Sequence, residues 1–405
     1  MTRCRFCRTE LIQTLVDLGA TPLANSYLPL NDPAALAAER RFPLHVMVCH
    51  GCWLAQTTET VPEDQIFDHD YAYLSSYSAG WVAHAGRYAG AMAARWALGP
   101  QSRVVEIASN DGYLLRHFVA MGVPVLGVEP AGHAAGIARA KGVETRVAFF
   151  GVASATALKA EGIVADLMVA NNVLAHVPDI SDFAEGFRIL LAPNGVATFE
   201  FPHLANLIEF VQFDTIYHEH YSCLSLTFVE TLMASAGLQV FDVETLTTHG
   251  GSLRVFVGHP GVHAEGEGLA AVRAREAAMH LASPAGYAGL GSRVAGVTGA
   301  LRQFLDDARA EGKQVAGYGA AAKGNTFLNV AGIGAASIGF VVDRNPEKQN
   351  RLLPGCHIPV LGVEALAAAR PDYVLILPWN LADEIMREQV GIAAWGADLC
   401  RLCPG

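Results

Sequence analysis

Val104-Val105-Glu106-Ile107-Ala108-Ser109-Asn110-Asp111-Gly112-Tyr113-Leu114-Leu115 is the stretch from which the rest of this chain can be read. An apolar strand gives way to small and polar residues and then resumes as an apolar helical pattern. In an open parallel sheet that corner is where a ligand meets the backbone. Val125-Leu126-Gly127-Val128, Asp166-Leu167-Met168-Val169 and Gly195-Val196-Ala197-Thr198-Phe199 read as further strands with helical stretches between them, so the expected class is α/β with a doubly wound parallel sheet.

The corner also suggests what binds there. Glycine and short side chains let a ligand's amino-acid portion approach the backbone, and the helix N-terminus offers free N–H groups to its carboxylate. Glu106, Ala108, Ser109, Asn110, Asp111 and Gly112 form the expected cradle, and Glu129, an acid at the end of the next strand, is placed to grip ribose hydroxyls. Asn171 and Asn172 extend the same rim, with His176 just beyond. Taken singly, Asp111 also reads as a helix N-cap and Glu129 as a solvated acid. The glycine spacing fails the G-x-G-x-x-G pattern for pyrophosphate, which suits a nucleoside with an amino-acid moiety and no phosphates. S-adenosylmethionine is such a ligand.

Composition bounds the rest. The chain has 405 residues, 52% of them hydrophobic and 17% charged, enough apolar material for more than one core and too much for disorder. A net charge of −11 argues against an extended nucleic-acid contact. No apolar stretch reaches membrane-span length and the N-terminus lacks a secretory pattern, so a cytoplasmic protein with no membrane partner is expected.

Three modules are expected: residues 1–80, 81–265 and 266–405. In the first, Cys4 and Cys7 make one C-x-x-C and Cys49 and Cys52 another, the ligand set of a closed, structural zinc site. Cys400 and Cys403 repeat the spacing and read as incidental. Residues 266 to 312 have an Ala-rich helical pattern; strands follow at Gln314–Gly319, Ile338–Val342 and Tyr373–Leu377, a second α/β sheet. Its turn, Gly317-Tyr318-Gly319-Ala320-Ala321-Ala322, opens a helix and satisfies G-x-G-x-x-A, with Asp343 at the next strand end and Lys323 adding positive charge. A diphosphate is expected there, belonging to NAD or to a nucleotide-activated sugar.

The densest acid–base run is Tyr217-His218-Glu219-His220-Tyr221-Ser222. Histidine takes a proton near neutral pH, glutamate orients it and tyrosine donates to an oxyanion. Were the run extended, His218 and His220 would face away from Tyr217 and Glu219, so a shared site requires a bend. A patch of satisfied buried histidines and a metal site are the competing readings, though no H-E-x-x-H spacing occurs.

In this order the cysteine knuckles, Glu106–Gly112, Tyr217–Ser222, Thr248-His249-Gly250-Gly251-Ser252-Leu253-Arg254 and Gly319–Asn325 resemble the bacterial NDP-sugar C-methyltransferases, over nearly the whole chain. The resemblance implies a zinc-binding N-terminal domain, a Rossmann-like S-adenosylmethionine-dependent methyltransferase domain and a second Rossmann-like C-terminal domain. It implies methylation of a carbon, C-3 in the sugar C-3 methyltransferases, of a nucleotide-linked 4-keto-deoxysugar. His220 would be the general base, with Tyr217 and Glu219 beside it. Tyr73 would be a further active-site tyrosine and Tyr71 a substrate contact, a pair whose order the sequence does not decide. His249 is a weaker substrate contact, and Lys323, Asn325 and Asp343 would hold the sugar nucleotide's diphosphate. An NAD-dependent oxidoreductase acting on a nucleotide sugar is the alternative, carried by Gly317, Gly319, Ala322 and Asp343.

Overall fold

The computed structural model describes residues 2–59, 61 and 74–402; Tyr71, Tyr73 and Cys403 lie outside them. Val104–Ile107 is a strand buried along its whole length, as a continuous Val/Ile run in a sheet covered on both faces should be. It sits inside a seven-stranded sheet whose order is Gln239–Leu246, Ser252–Gly258, Leu191–Pro202, Ala165–Asn171, Val104–Ile107, Val125–Val128, Thr145–Arg146. The chain steps outward from Val104–Ile107 to Thr145–Arg146, then returns to lay Ala165–Asn171 on the opposite side in parallel. The C-terminal end of Val104–Ile107 is therefore a topological switch point, where crossovers diverge and leave a crevice. One face packs Phe183, Phe187, Phe199 and Phe201, the other Tyr88, Phe118 and Phe256.

The antiparallel strand Gln239–Leu246 was not read from the sequence. It forms the outer edge of the sheet, where polar Asp242 and Glu244 interrupt the apolar signal. The Ala-rich reading over 266–312 resolves into two helices, Gly268–Ala278 and Leu290–Ala310, interrupted by Pro284 and by Gly289 at φ 79°. The first of them packs Leu269 and Val272 against the seven-stranded sheet's core.

The second large sheet runs Asp398–Arg401, Tyr373–Ile376, Val315–Tyr318, Val341–Val342, Pro359–Leu361, Arg351–Leu352, Leu28–Pro29. Its switch point is the C-terminal end of Val315–Tyr318, so both corners singled out in the sequence occupy equivalent places in their sheets. The strand read at Ile338–Val342 shortens to Val341–Val342.

The N-terminal module is a small antiparallel sheet of Gln13–Thr21, Phe42–Val48 and Ala55–Thr57, completed by Ser222–Cys223 from far along the chain. In exchange Leu28–Pro29 pairs with Arg351–Leu352 at the edge of the C-terminal sheet. No described helix is long and apolar enough to cross a membrane.

Candidate active site

The two C-x-x-C knuckles have the same backbone. Arg8 N donates to Cys4 O (3.1 Å) and Trp53 N to Cys49 O (2.8 Å), and each turn closes on a left-handed residue, Arg8 at φ 64° and Trp53 at φ 63°. The four thiols converge, with all Sγ atoms within 4.8 Å of one another. Cys4 and Cys52 are 3.6 Å apart and Cys7 and Cys49 3.3 Å. Four converging sulfurs fit a tetrahedral zinc ion and leave no open position for substrate.

The corner after Val104–Ile107 is held in a demanding backbone. Ala108 (φ 52°), Asn110 (φ 50°) and Gly112 (φ 76°) are all left-handed, a conformation rare for residues with a Cβ and found where surrounding contacts enforce it. Glu129 supplies that enforcement: its carboxylate accepts from Asn110 N (2.8 Å) and Ala131 N (2.7 Å). Ser75 N adds a bond to Asn110 Oδ1 (2.9 Å).

Beneath the turn lies a fully buried acidic cluster. Asp111 accepts from Lys141 Nζ (2.9 Å), so it is neither the helix N-cap nor a cavity residue. Burial, with Glu129 and Asp111 near, pushes the Glu106 carboxyl well above the usual carboxylate range. Ser109 faces inward against Gly127, where a Cβ would come within 2.3 Å of the Ser109 Oγ.

Above the turn opens a cavity of about 570 Å³. Ala108, Asn110, Glu129, Asn171 and Asn172 reach its wall, whereas Glu106, Ser109, Asp111 and Gly112 support it from below. Buried Asn171 Oδ1 and Asn172 Oδ1 have no hydrogen-bond partner among the described residues, a cost relieved when a ligand donates to them. A strained cradle, a strand-end carboxylate and orphaned amide oxygens at a switch point fit S-adenosylmethionine.

The same cavity is walled further along by Thr215, Tyr217, Glu219, His220, His176 and His249. The acid–base run does bend: His220 N donates to Tyr217 O (2.8 Å) across a turn. The turn brings Tyr217, Glu219 and His220 to one wall and directs buried His218 away from the cavity, its Nε2 bonded to Phe42 O (3.1 Å). His220 Nδ1 donates to Thr215 O (2.6 Å), which fixes the tautomer and leaves the Nε2 lone pair unprotonated. Its ring lies 4.0 Å from that of Tyr217 and 4.6 Å from that of His176. Burial first, then His176, drives the His220 pKa well below the usual value, and burial takes His176 to about 4. Both imidazoles are neutral near pH 7.

His249 sits at φ 53° in the Thr248–Gly250 turn, edge-on to Trp81 at 5.2 Å. That turn is tied down by Thr248 Oγ1 to Glu200 (2.9 Å), and Glu200 also accepts from His84 (3.0 Å) and Arg254 (3.0 Å).

The C-terminal sheet closes the cavity with Ala321, Ala322, Lys323, Lys348, Pro378 and Asn380. Lys323 begins the helix Ala322–Ala331, its Nζ 5.0 Å from the Trp379 ring and 3.4 Å from Asn380 Oδ1; burial lowers its pKa to about 8. Lys323 has no carboxylate within ion-pair distance among the described residues; Asp214, which would serve, instead accepts from Trp379 Nε1 (2.6 Å). Asn325 and Asp343 are not in the wall. Asn325 is two residues beyond Lys323 on the helix and points to the opposite side, toward Ala24 O (3.3 Å) and Cys356 (3.2 Å). Asp343 is occupied by Ala320 N and Asn345 N, each at 2.8 Å. Asn25, Trp81, Lys348 and Asn380 are wall residues that sequence reading missed.

These features define a class: a methyltransferase with an attached zinc-binding module. The methyltransferase domain family matches residues 83–243, the zinc binding domain family residues 4–67 and the C-methyltransferase C-terminal domain family residues 247–404. The chain is 37% identical over 384 residues, 95% of its length and 91% of the relative's, to C-methyltransferase NovU of Streptomyces niveus. It belongs to the C-methyltransferase family and is an S-adenosylmethionine-dependent enzyme of it. Solved structures that resemble part of the chain include a methyltransferase of Thermotoga maritima (19% identity, 43% of this chain and 90% of that one, TM-score 0.32). Another is the magnesium protoporphyrin IX methyltransferase of Synechocystis with bound S-adenosylhomocysteine (13% identity, 44% and 84%, TM-score 0.36). The oxidoreductase alternative finds no support in these matches.

Proposed function

We propose that the enzyme methylates the carbon next to the ketone of a nucleotide-linked 4-keto-deoxysugar, at C-3. A single observation carries this reading: one cavity joins the cofactor turn, a neutral histidine whose Nδ1 is bonded and whose Nε2 has no partner among the described residues, and a lysine with no carboxylate within ion-pair distance among them. Carbon is not a nucleophile until an adjacent carbonyl lets it give up a proton. His220 Nε2 takes that proton, while Thr215 O holds the ring and spreads the resulting charge. Tyr217, its ring 4.0 Å from that of His220 and tilted to it, is the donor toward the enolate oxygen, while Glu219, held by Asn25 at 2.5 Å, borders the base and not the oxyanion. S-adenosylmethionine, when bound, supplies the methyl group that the substrate carbon accepts. Ala108, Asn110, Glu129, Asn171 and Asn172 hold it, and the apolar wall of Phe149, Phe150 and Phe183 excludes water.

The diphosphate is assigned to Lys323, Lys348, Asn380 and the N-terminus of Ala322–Ala331, because a helix start and two cations suit an anion. Tyr71 and Tyr73 remain assigned by resemblance, and the domain limits 1–80, 81–265 and 266–405 remain the proposed division. Calorimetric titration with S-adenosylhomocysteine, alone and with thymidine diphosphate, followed by turnover of a thymidine diphosphate-linked 4-keto-deoxysugar, tests the assignment. Methylation of O or N atoms, with carbon untouched, would overturn it.

A further inference from the structure

The residues around the proposed base are held by the zinc module as well as by the domain that contains them. His218 Nε2 bonds Phe42 O (3.1 Å), Asn25 Nδ2 donates to Glu219 (2.5 Å), and the Tyr221 hydroxyl donates to Val61 O (2.6 Å). Ser222 and Cys223 pair with Gln56 and Ala55 as the fourth strand of that module's sheet. The cofactor turn is bonded by Glu129 and Lys141 of its own domain and by Ser75, none of them in the small sheet of the cysteine module.

At the centre of this junction is Arg5, which lies between the two cysteines of the first knuckle. Its Nη2 donates to Tyr221 O, the carbonyl one residue past His220, and to Ser222 Oγ (3.1 Å), while Nη1 donates to Thr57 O (2.9 Å). Its own backbone N donates to Gln56 Oε1 (2.9 Å), and the Gln56 amide donates to Cys4 Sγ (3.1 Å). A continuous chain of bonds therefore runs from a metal-ligating sulfur through Gln56 and Arg5 to the backbone that carries His220. The fork of a guanidinium suits this task because it bridges two acceptors in a fixed geometry, which an ammonium does not.

We propose that Arg5 is a positioning residue for the methyl-transfer reaction: it clamps the Tyr221 carbonyl to the four-cysteine knuckle, so that the metal-bound fold of the N-terminal module sets where His220 stands. The role of the cysteine site thus extends past stability to catalytic geometry. The inference rests on the reading of His220 as the base.

The test compares wild type, Arg5→Met, Arg5→Lys and His220→Asn, all as full-length zinc-loaded protein. Metal content, melting temperature and S-adenosylhomocysteine affinity are measured beside kcat and KM for a thymidine diphosphate-linked 4-keto-deoxysugar. For Arg5→Met, kcat is expected to fall by about 10- to 100-fold, the scale of a displacement near 1 Å. Metal content, cofactor affinity and KM should stay within about threefold. Arg5→Lys, which keeps the charge and loses the fork, should lie between the two. A kcat in both Arg5 variants within about twofold of wild type, or a loss that only tracks lost metal, overturns the clamp. If His220→Asn retains turnover, it is the base assignment that falls, whatever the Arg5 variants do.

Discussion

Replacing His220 by asparagine isolates one function of that ring. The His220 Nδ1–H bond to Thr215 O is the contact an asparagine amide can reproduce, whereas nothing in asparagine replaces Nε2. The side chain should stay placed and the base should vanish. A positioned general base contributes about 10²- to 10⁴-fold, equivalent to about 2.7 to 5.4 kcal/mol of barrier. The assay has two arms. Turnover is followed by release of S-adenosylhomocysteine, and wash-out of tritium or deuterium from the substrate's ketone-adjacent carbon is followed with S-adenosylhomocysteine bound in place of the methyl donor. Both should drop together, with S-adenosylhomocysteine affinity within about threefold of wild type. The wild-type pH profile adds a check on sign. Because burial lowers the His220 pKa well below the ordinary 6.5, the base is already neutral at pH 6.5, so the acid limb of kcat should lie well below that value. Wild-type wash-out in the variant, or an acid limb at or above 6.5, would refute the reasoning.

Lys323, lowered to about 8 by burial, carries its charge below that pH and loses it above, so kcat/KM for the sugar nucleotide should decline as pH rises through about 8. Lys323→Arg should remove that alkaline limb, and an identical limb in the variant would count against the diphosphate assignment. Glu106 has a folded pKa raised above its ordinary 4.5, so it contributes least at high pH, where the unfolded chain gains by ionising it. Glu106→Gln should therefore raise the melting temperature more at pH 8 than at pH 5, and a pH-independent difference would contradict this. Gly127→Ala drives a Cβ to 2.3 Å from Ser109 Oγ and 3.1 Å from Thr145 Oγ1, beneath the cofactor turn. An overpacking loss of about 1–3 kcal/mol by denaturant titration, with weakened S-adenosylhomocysteine binding, is expected, and unchanged values for both would show that the turn can yield.

What the sequence disclosed were features with a local signature. The Cys4–Cys7 and Cys49–Cys52 knuckles, the Glu106–Gly112 corner and the strand-end Glu129 each have such a signature; the four cysteines converge and Ala108, Asn110 and Glu129 reach the cavity, whereas Glu106, Ser109, Asp111 and Gly112 lie beneath it. The run at Tyr217–His220 announced its chemistry but not its bend, since a turn and a strand share that composition. Asn25, Trp81, Lys348 and Asn380 had no pattern to find, being single residues brought to the wall by contacts between distant segments. Asn325 failed for a geometric reason: being two residues past Lys323 is nearly the far side of a helix. The strand Gln239–Leu246 escaped because edge positions carry the polar residues that strand reading discounts.

The exchange of strands between sheets has a consequence for how the chain comes into being. The N-terminal module lacks its fourth strand until Ser222–Cys223 has been synthesised, and the C-terminal sheet closes its edge on Leu28–Pro29, a segment made long before it. The cysteine module, made before the methyltransferase domain, is thus finished only after much of that domain. Truncations before Ser222 should leave the cysteine module with an open sheet edge, a template for aggregation, and the full-length chain should unfold its N- and C-terminal parts in one coupled transition rather than two.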